Sequence, residues 1–130
     1  MEEQEAFRMN VLQLAYLGDT VWETIVRYDL LLGRLNLHHI HQQCVRRVNA
    51  GAQAALLPAI TDMLHEREAE IVRRGRNAHP KHTVPKNQLP EDYAAATGFE
   101  ALLGYLYLTG QNERIFEIVR KIKEQENQNG

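Results

Sequence analysis

The first 57 residues contain no proline, and their apolar side chains recur at the spacing of an α-helix. Before Gly18, one helical face is formed by Phe7, Val11, Leu14 and Ala15. Beyond that glycine the same spacing continues. No segment of the chain alternates apolar and polar residues as a half-buried strand does. The pattern therefore predicts an all-α fold.

Glycines and prolines divide the chain into about six or seven predicted helices. The first is a helical hairpin or kinked helix from about Glu5 to Leu32, with Gly18 as its flexible point. Gly33 is expected to end it, because glycine is favoured just beyond a helix C-terminus.

Local end signals place the helices that follow. A helix over 37–48 is predicted to continue past a break at Gly51, and the next helix has Thr61 as its N-cap and stops at Gly75. The segment 76–90 holds three prolines and several polar residues, which predicts a flexible basic loop.

The last two predicted helices follow this loop. Pro90 suits the first turn of a helix, which should end at Gly110. Asn112 is expected to cap the final helix, and its polar end from Gln125 to Gly130 is expected to fray. A chain of 130 residues rarely divides into two cores, so residues 1–130 are predicted to form one domain.

Charge and composition exclude several classes of protein. The formal net charge of −2 excludes a uniformly basic coat for nucleic acid, although it permits a local basic patch. The single cysteine, Cys44, excludes an internal disulfide and is typical of a reducing compartment. No apolar run reaches the roughly 18 residues of a membrane span, and the acidic start is unlike a signal peptide. We therefore expect a cytoplasmic domain.

Two acidic residues interrupt apolar runs. Asp19 lies between apolar helical segments, and Glu100 has only small or apolar neighbours. An ionised carboxylate in such a setting is costly unless a cation or a metal ion compensates it. If the two acids converge from different helices, they form an oxygen-rich site for Mg²⁺. Alternatively, each acid lies on a solvated helix edge or accepts hydrogen bonds from a helix end, and spacing alone favours this interpretation.

Basic residues are also segregated along the chain. No acid occurs between Glu70 and Glu91, whereas this window holds five cations: Arg73, Arg74, Arg76, Lys81 and Lys86. A basic segment beside a rigid domain can bind a phosphate backbone. Together with two acids for a metal ion, it points to phosphodiester chemistry.

The chain resembles the ribonuclease III family. The segment 14–21 (LAYLGDTV) is similar to the signature helix of its catalytic domains, and 99–108 (FEALLGYLYL) is similar to their second acidic motif. A His-containing helix at 37–48, then 74–78 (RGRNA) and 85–87 (PKN), resemble the Mini-ribonuclease III subfamily, which lacks a double-stranded RNA-binding domain.

The resemblance implies a ribonuclease III endonuclease-domain fold in which Asp19 and Glu100 are catalytic and hold Mg²⁺. Full-length members have further acids at the positions of Leu12, Ala15 and Thr97. These departures from the family pattern agree with the reduced set of acids that the resemblance implies for the Mini subfamily.

The resemblance also implies a homodimer that cleaves double-stranded RNA and leaves 5′-phosphate ends. In the subfamily the substrate is precursor 23S ribosomal RNA, and a ribosomal protein on that RNA is a further candidate partner. The signature helix packs against its twin, so candidate interface residues are Leu12, Tyr16 and Trp22. Candidate RNA contacts are Arg73, Arg74, Arg76, Asn77, Lys81 and Lys86.

Three alternative functions remain open. The same fold can serve as a non-catalytic RNA-binding or ribosome-assembly domain, which the missing acids favour. The helical row His38, His39, His41 and Cys44 is a candidate zinc or copper site, although four ligands on one short helix cannot surround a metal tetrahedrally. A helical protein-interaction module leaves the two acids unexplained.

Overall fold

The structure, a computed structural model, describes residues 1–78 and 88–129. Within these ranges it contains seven α-helices and one 3₁₀ turn, and no strand. The elements are α1 (Glu3–Phe7), α2 (Val11–Leu31), α3 (Leu37–Val48), α4 (Ala50–Ile60), the 3₁₀ turn (Thr61–Met63), α5 (Glu66–Asn77), α6 (Pro90–Leu108) and α7 (Asn112–Asn129). The predicted all-α class is confirmed. None of the described helices is long and apolar enough to cross a bilayer.

Helix α6 is the centre of the fold. It packs against α1, α2, α4, α5 and α7, and nearly every residue from Ala95 to Leu106 is buried. Such a helix is apolar on all sides because other helices surround it. The Phe99 ring meets the Trp22 ring edge-on at 5.2 Å between centroids. Glu100 interrupts this core and is only partly buried.

Helices α2 and α6 approach closely through glycine. A Cβ atom on Gly18 would overlap the carbonyl oxygen of Glu100, and one on Gly104 would overlap the carbonyl oxygen of Leu14. The predicted flexible point at Gly18 is therefore wrong, because α2 is continuous there and the glycine serves packing. The break lies before Val11 instead.

Asparagine side chains mark the true starts of two helices. Asn10 Oδ1 accepts a hydrogen bond from the Leu12 N–H at 2.8 Å, and Asn49 Oδ1 accepts one from the Ala52 N–H at 2.8 Å. The break between α3 and α4 therefore lies at Asn49, and the prediction at Gly51 is wrong by two residues.

Helix α5 differs from its prediction at both ends. Thr61 begins the 3₁₀ turn and does not cap α5, which starts at Glu66. The His65 N–H donates to Glu68 Oε1 at 2.8 Å, which satisfies one of the free N–H groups at the start of the helix. The helix also continues through Gly75, whose Cα faces Gly98 of α6 so closely that a side chain would not fit.

The later boundaries agree better with the sequence. Helix α6 begins at Pro90 as predicted, and Gly110 has a φ of 70°, a left-handed conformation that suits glycine. The final helix extends to Asn129, through the polar residues that were expected to fray. Most of the predicted loop, residues 79–87, lies outside the described residues.

A buried ion pair joins α7 to α5. Glu68 is 3% exposed, and Arg114 donates to both of its carboxylate oxygens at 2.8 and 2.9 Å. Arg114 Nη2 also donates to the Met63 carbonyl at 2.6 Å. Burial raises the pKa of Glu68, but the hydrogen bonds from Arg114 and from the His65 N–H outweigh it and hold the pKa below its usual value.

Candidate active site

The structure brings Asp19 and Glu100 together. Asp19 directly follows Gly18 on α2, and Glu100 is the α6 residue whose backbone that glycine contacts. Asp19 is exposed, Glu100 is partly buried, and their carboxyl groups are within hydrogen-bonding reach. We call this pair the acidic site. Glu23, one turn further along α2, pairs instead with Arg27 at 2.9 Å.

Burial and the neighbouring carboxylate change the charge of Glu100. Burial raises its pKa from 4.5 to about 8, hydrogen bonding to Asp19 and the negative charge of Asp19 contribute, and a hydrogen bond from Gln53 acts in the opposite direction. Two carboxyl groups this close cannot both ionise cheaply without a cation. At neutral pH and without a cation, Glu100 is therefore protonated.

The proton on Glu100 makes the free energy of unfolding of the metal-free protein depend on pH. Between pH 4.5 and about 8 the folded chain holds a proton on Glu100 that the unfolded chain has lost. The free energy of unfolding should therefore fall as pH rises through this window, by at most about 1.4 kcal/mol per pH unit, and level off above it. Denaturant titrations in chelator at several pH values measure this slope. The Glu100→Gln variant should lack this component, and identical slopes in the two proteins would contradict the assignment.

A third polar side chain, Gln53 of α4, borders the acidic site. It is 2% exposed, its Nε2 donates to the Val48 carbonyl at 2.8 Å, and the same nitrogen lies 3.5 Å from Glu100 Oε2. Its Oε1 is buried and has no hydrogen-bond partner. Gln53 is absent from the predicted site residues, although an amide among alanines and leucines is a signal of the same kind as the two acids.

The donor atoms around the acidic site suit a hard cation. The two carboxylates and the amide oxygen of Gln53 are all oxygen donors, which Mg²⁺ prefers. Across residues 1–78 and 88–129, no group of three or more His, Cys, Asp or Glu side chains converges. Ala15 and Thr97 are buried, and the Thr97 hydroxyl donates to the Tyr93 carbonyl at 2.9 Å. Water and substrate would therefore have to complete the shell of a bound Mg²⁺.

The predicted RNA contacts have different environments. Arg74 donates to the carbonyls of Phe7 and Met9 at 2.6 and 2.9 Å, so its guanidinium anchors the α1–α2 connection and is not available to a ligand. Arg73 pairs with Glu70 on the surface. Arg76 and Asn77 are exposed at the end of α5. Lys81 and Lys86 lie outside the described residues.

The three predicted interface residues differ in how much of each side chain is exposed. Tyr16 is 84% exposed and Leu12 is 38% exposed. Trp22 is 2% exposed, and its Nε1 donates to the Arg47 carbonyl at 3.2 Å. The indole of Trp22 therefore belongs to the core and offers almost no surface to a partner chain, whereas Tyr16 is freely accessible.

The histidine row does not assemble into a metal site in the part of the chain that the structure describes. His38, His39 and His41 are exposed, and the rings of the first two lie 5.9 Å apart. Cys44 is buried.

A comparison with known proteins identifies the family. The model of the ribonuclease III domain matches residues 12–111, a range that contains both acids. The chain belongs to the ribonuclease III family. A Mini-ribonuclease 3 from Symbiobacterium thermophilum is 50% identical over 110 residues, 84% of each chain. One from Brevibacillus brevis is 43% identical over 126 residues, 93% of each chain.

A solved structure agrees with this ribonuclease III fold. A crystal structure of a protein from Fusobacterium nucleatum superimposes with a TM-score of 0.82 at 29% identity, covering 92% of this chain and 95% of that one. The resemblance to Mini-ribonuclease III is thereby confirmed, and the chain is an endoribonuclease, a hydrolase of RNA phosphodiester bonds.

Proposed function

We propose that the chain is a Mg²⁺-dependent endoribonuclease that cleaves double-stranded RNA and matures the ends of precursor 23S ribosomal RNA in the cytoplasm. The observation that carries the proposal is the convergence of Asp19 and Glu100 from two helices, where burial and the neighbouring Asp19 raise the pKa of Glu100 to about 8 and would favour a bound cation. Curated relatives named Mini-ribonuclease 3 support the same activity.

In the proposed reaction, Asp19 of α2 and Glu100 of α6 would hold the cation between them. The glycine-mediated approach of these helices orients both carboxylates before any ligand arrives. When bound, Mg²⁺ would supply an activated water and would stabilise charge on the phosphate and the leaving oxygen. Glu100 would lose its proton when the cation binds, since carboxylate ligands are deprotonated.

The test of this proposal is cleavage of a long RNA duplex with and without Mg²⁺. We expect 5′-phosphate products with Mg²⁺ and none in excess chelator. Sequencing the ends of digested precursor 23S ribosomal RNA then tests the substrate, with and without the ribosomal proteins that bind it. Stable binding of duplex without cleavage in Mg²⁺ would favour the non-catalytic RNA-binding alternative.

Arg76 is the cation of α5 that is best placed to bind RNA phosphates, because Arg73 and Arg74 have protein partners. Arg76→Ala should weaken duplex binding and reduce the slope of log affinity against log salt by about one unit. Filter binding at several salt concentrations measures both. Arg120→Ala on α7 is a matched control and should leave the slope unchanged. If Arg76→Ala retains the wild-type slope, Arg76 does not contact phosphate.

An exposed apolar surface on α2, α6 and α7 supports a homodimer. Tyr107 and Phe116, which are 54% and 61% exposed, line a groove together with Tyr28 of α2, and Leu12 and Tyr16 are further exposed apolar residues of α2. Apolar surface of this kind is typical of a protein interface. Sedimentation velocity should give a species of two chains, and Phe116→Glu should shift it toward one chain. A monomeric wild-type protein at micromolar concentration would contradict the homodimer.

A further inference from the structure

Gln53 is a buried polar side chain whose amide oxygen has no hydrogen-bond partner. It is one of three buried polar or charged side chains among the described residues, and leucines, alanines and an isoleucine fill most of α4 around it. Glu68 is satisfied by Arg114, and the Thr97 hydroxyl by the Tyr93 carbonyl. Gln53 Oε1 has no such partner.

The orientation of the Gln53 amide is fixed by its surroundings. A carbonyl oxygen only accepts hydrogen bonds, so the atom at 2.8 Å from the Val48 carbonyl has to be Nε2. The second N–H of this nitrogen is then free for Glu100 Oε2 at 3.5 Å. Because both amide atoms belong to one small planar group, Oε1 lies within roughly 6 Å of the carboxylate.

A buried acceptor without a partner calls for a water or an ion that would complete it. Hydrated Mg²⁺ keeps several of its waters when it binds to one or two carboxylates, and these waters donate hydrogen bonds. A neutral amide beside the acidic site can therefore orient Glu100 through its N–H and receive a metal-bound water through its oxygen. An acid at this place could do only the second.

We propose that Gln53 is a positioning residue of the acidic site, which orients the Glu100 carboxylate and holds a water of the bound divalent cation. This role rests on the proposed Mg²⁺-dependent function. It adds a third helix, α4, to a site that the two acids alone would build from α2 and α6. The Gln53 amide would then be a third polar group at a site that otherwise has only two acids.

The test is the affinity of RNA-free protein for Mn²⁺, measured by electron paramagnetic resonance, and for Mg²⁺, measured by calorimetry. Gln53→Leu should weaken binding by about 10- to 100-fold, as loss of an outer-shell partner does. Its melting temperature without metal should stay close to that of the wild type, because removal of the unpaired Oε1 offsets the lost hydrogen bond to the Val48 carbonyl. Gln42→Leu, an exposed substitution of the same kind on α3, is the control and should bind metal normally.

A second measurement separates positioning from a structural role. RNA cleavage by Gln53→Leu should be slow at low Mg²⁺ and recover as Mg²⁺ is raised, whereas a structural defect would not respond to the metal. Gln53→Met, of similar length to glutamine, repeats the test if the leucine variant does not fold. Unchanged metal affinity in a folded variant, or failure of both variants to fold, would overturn the role of Gln53 alone. A wild-type protein that binds no divalent cation would overturn the proposed function as well.

Discussion

Glu100→Gln and Asp19→Asn should each lower the rate of RNA cleavage by at least about a thousandfold, because a bound metal contributes several kcal/mol to such reactions and each variant removes a ligand. Both variants should remain folded. At pH 8 and above, Glu100→Gln should be at least as stable as the wild type without metal, since it removes a buried carboxyl group that ionises beside Asp19. Single-turnover cleavage and thermal melts measure these effects.

Glu23→Gln is the matched control for both acids. Glu23 lies one turn from Asp19 on the same helix and pairs with Arg27 on the surface. Its neutral variant should cleave RNA at nearly the wild-type rate. Wild-type turnover in Glu100→Gln would remove Glu100 from the reaction and leave its burial beside Asp19 without a catalytic explanation.

Arg114→Ala should destabilise the fold by about 3–5 kcal/mol, because it leaves the Glu68 carboxylate buried and without its ion-pair partner. The change also removes the hydrogen bond to the Met63 carbonyl, so it weakens the attachment of α7 to the 3₁₀ turn as well. Urea denaturation measures the loss. Glu68→Gln combined with Arg114→Met should recover part of it, because no unpaired charge then remains in the core.

Arg27→Ala provides the comparison for an exposed ion pair. Arg27 and Glu23 side chains are 61% and 41% exposed, and such pairs contribute about 0–1 kcal/mol. A loss of under about 1 kcal/mol in Arg114→Ala, similar to this control, would show that the buried pair is not important for stability.

Local signals in the sequence are sufficient to predict a helix end where that end depends on the backbone of the residue located there. Pro90 begins α6 and Gly110 follows it in a left-handed conformation, and both features act through their own backbone. The predictions of a flexible point at Gly18 and a helix end at Gly75 are wrong. Both glycines admit a neighbouring helix, and a single sequence cannot distinguish that role from a helix stop.

The sequence predicts the two acids of the acidic site but not Gln53. Asp19 and Glu100 are ionisable residues within apolar runs, and the cost of burying a charge makes such residues conspicuous. Gln53 carries no charge and gives a weaker signal. For the predicted RNA contact at Arg74, a count of charges cannot show that two backbone carbonyls already accept hydrogen bonds from its guanidinium.

The near contact of two main chains at Gly18 and Gly104 determines how this catalyst can diverge. Asp19 follows Gly18, and Gly18 contacts the backbone of Glu100. The distance between the two carboxylates therefore depends on the spacing of α2 and α6. A bulkier residue at either glycine would spread the helices and move both acids apart together. In the proposed metal site, preference for a wider cation would thus arise from two positions that carry no functional group, while the acids themselves stay the same.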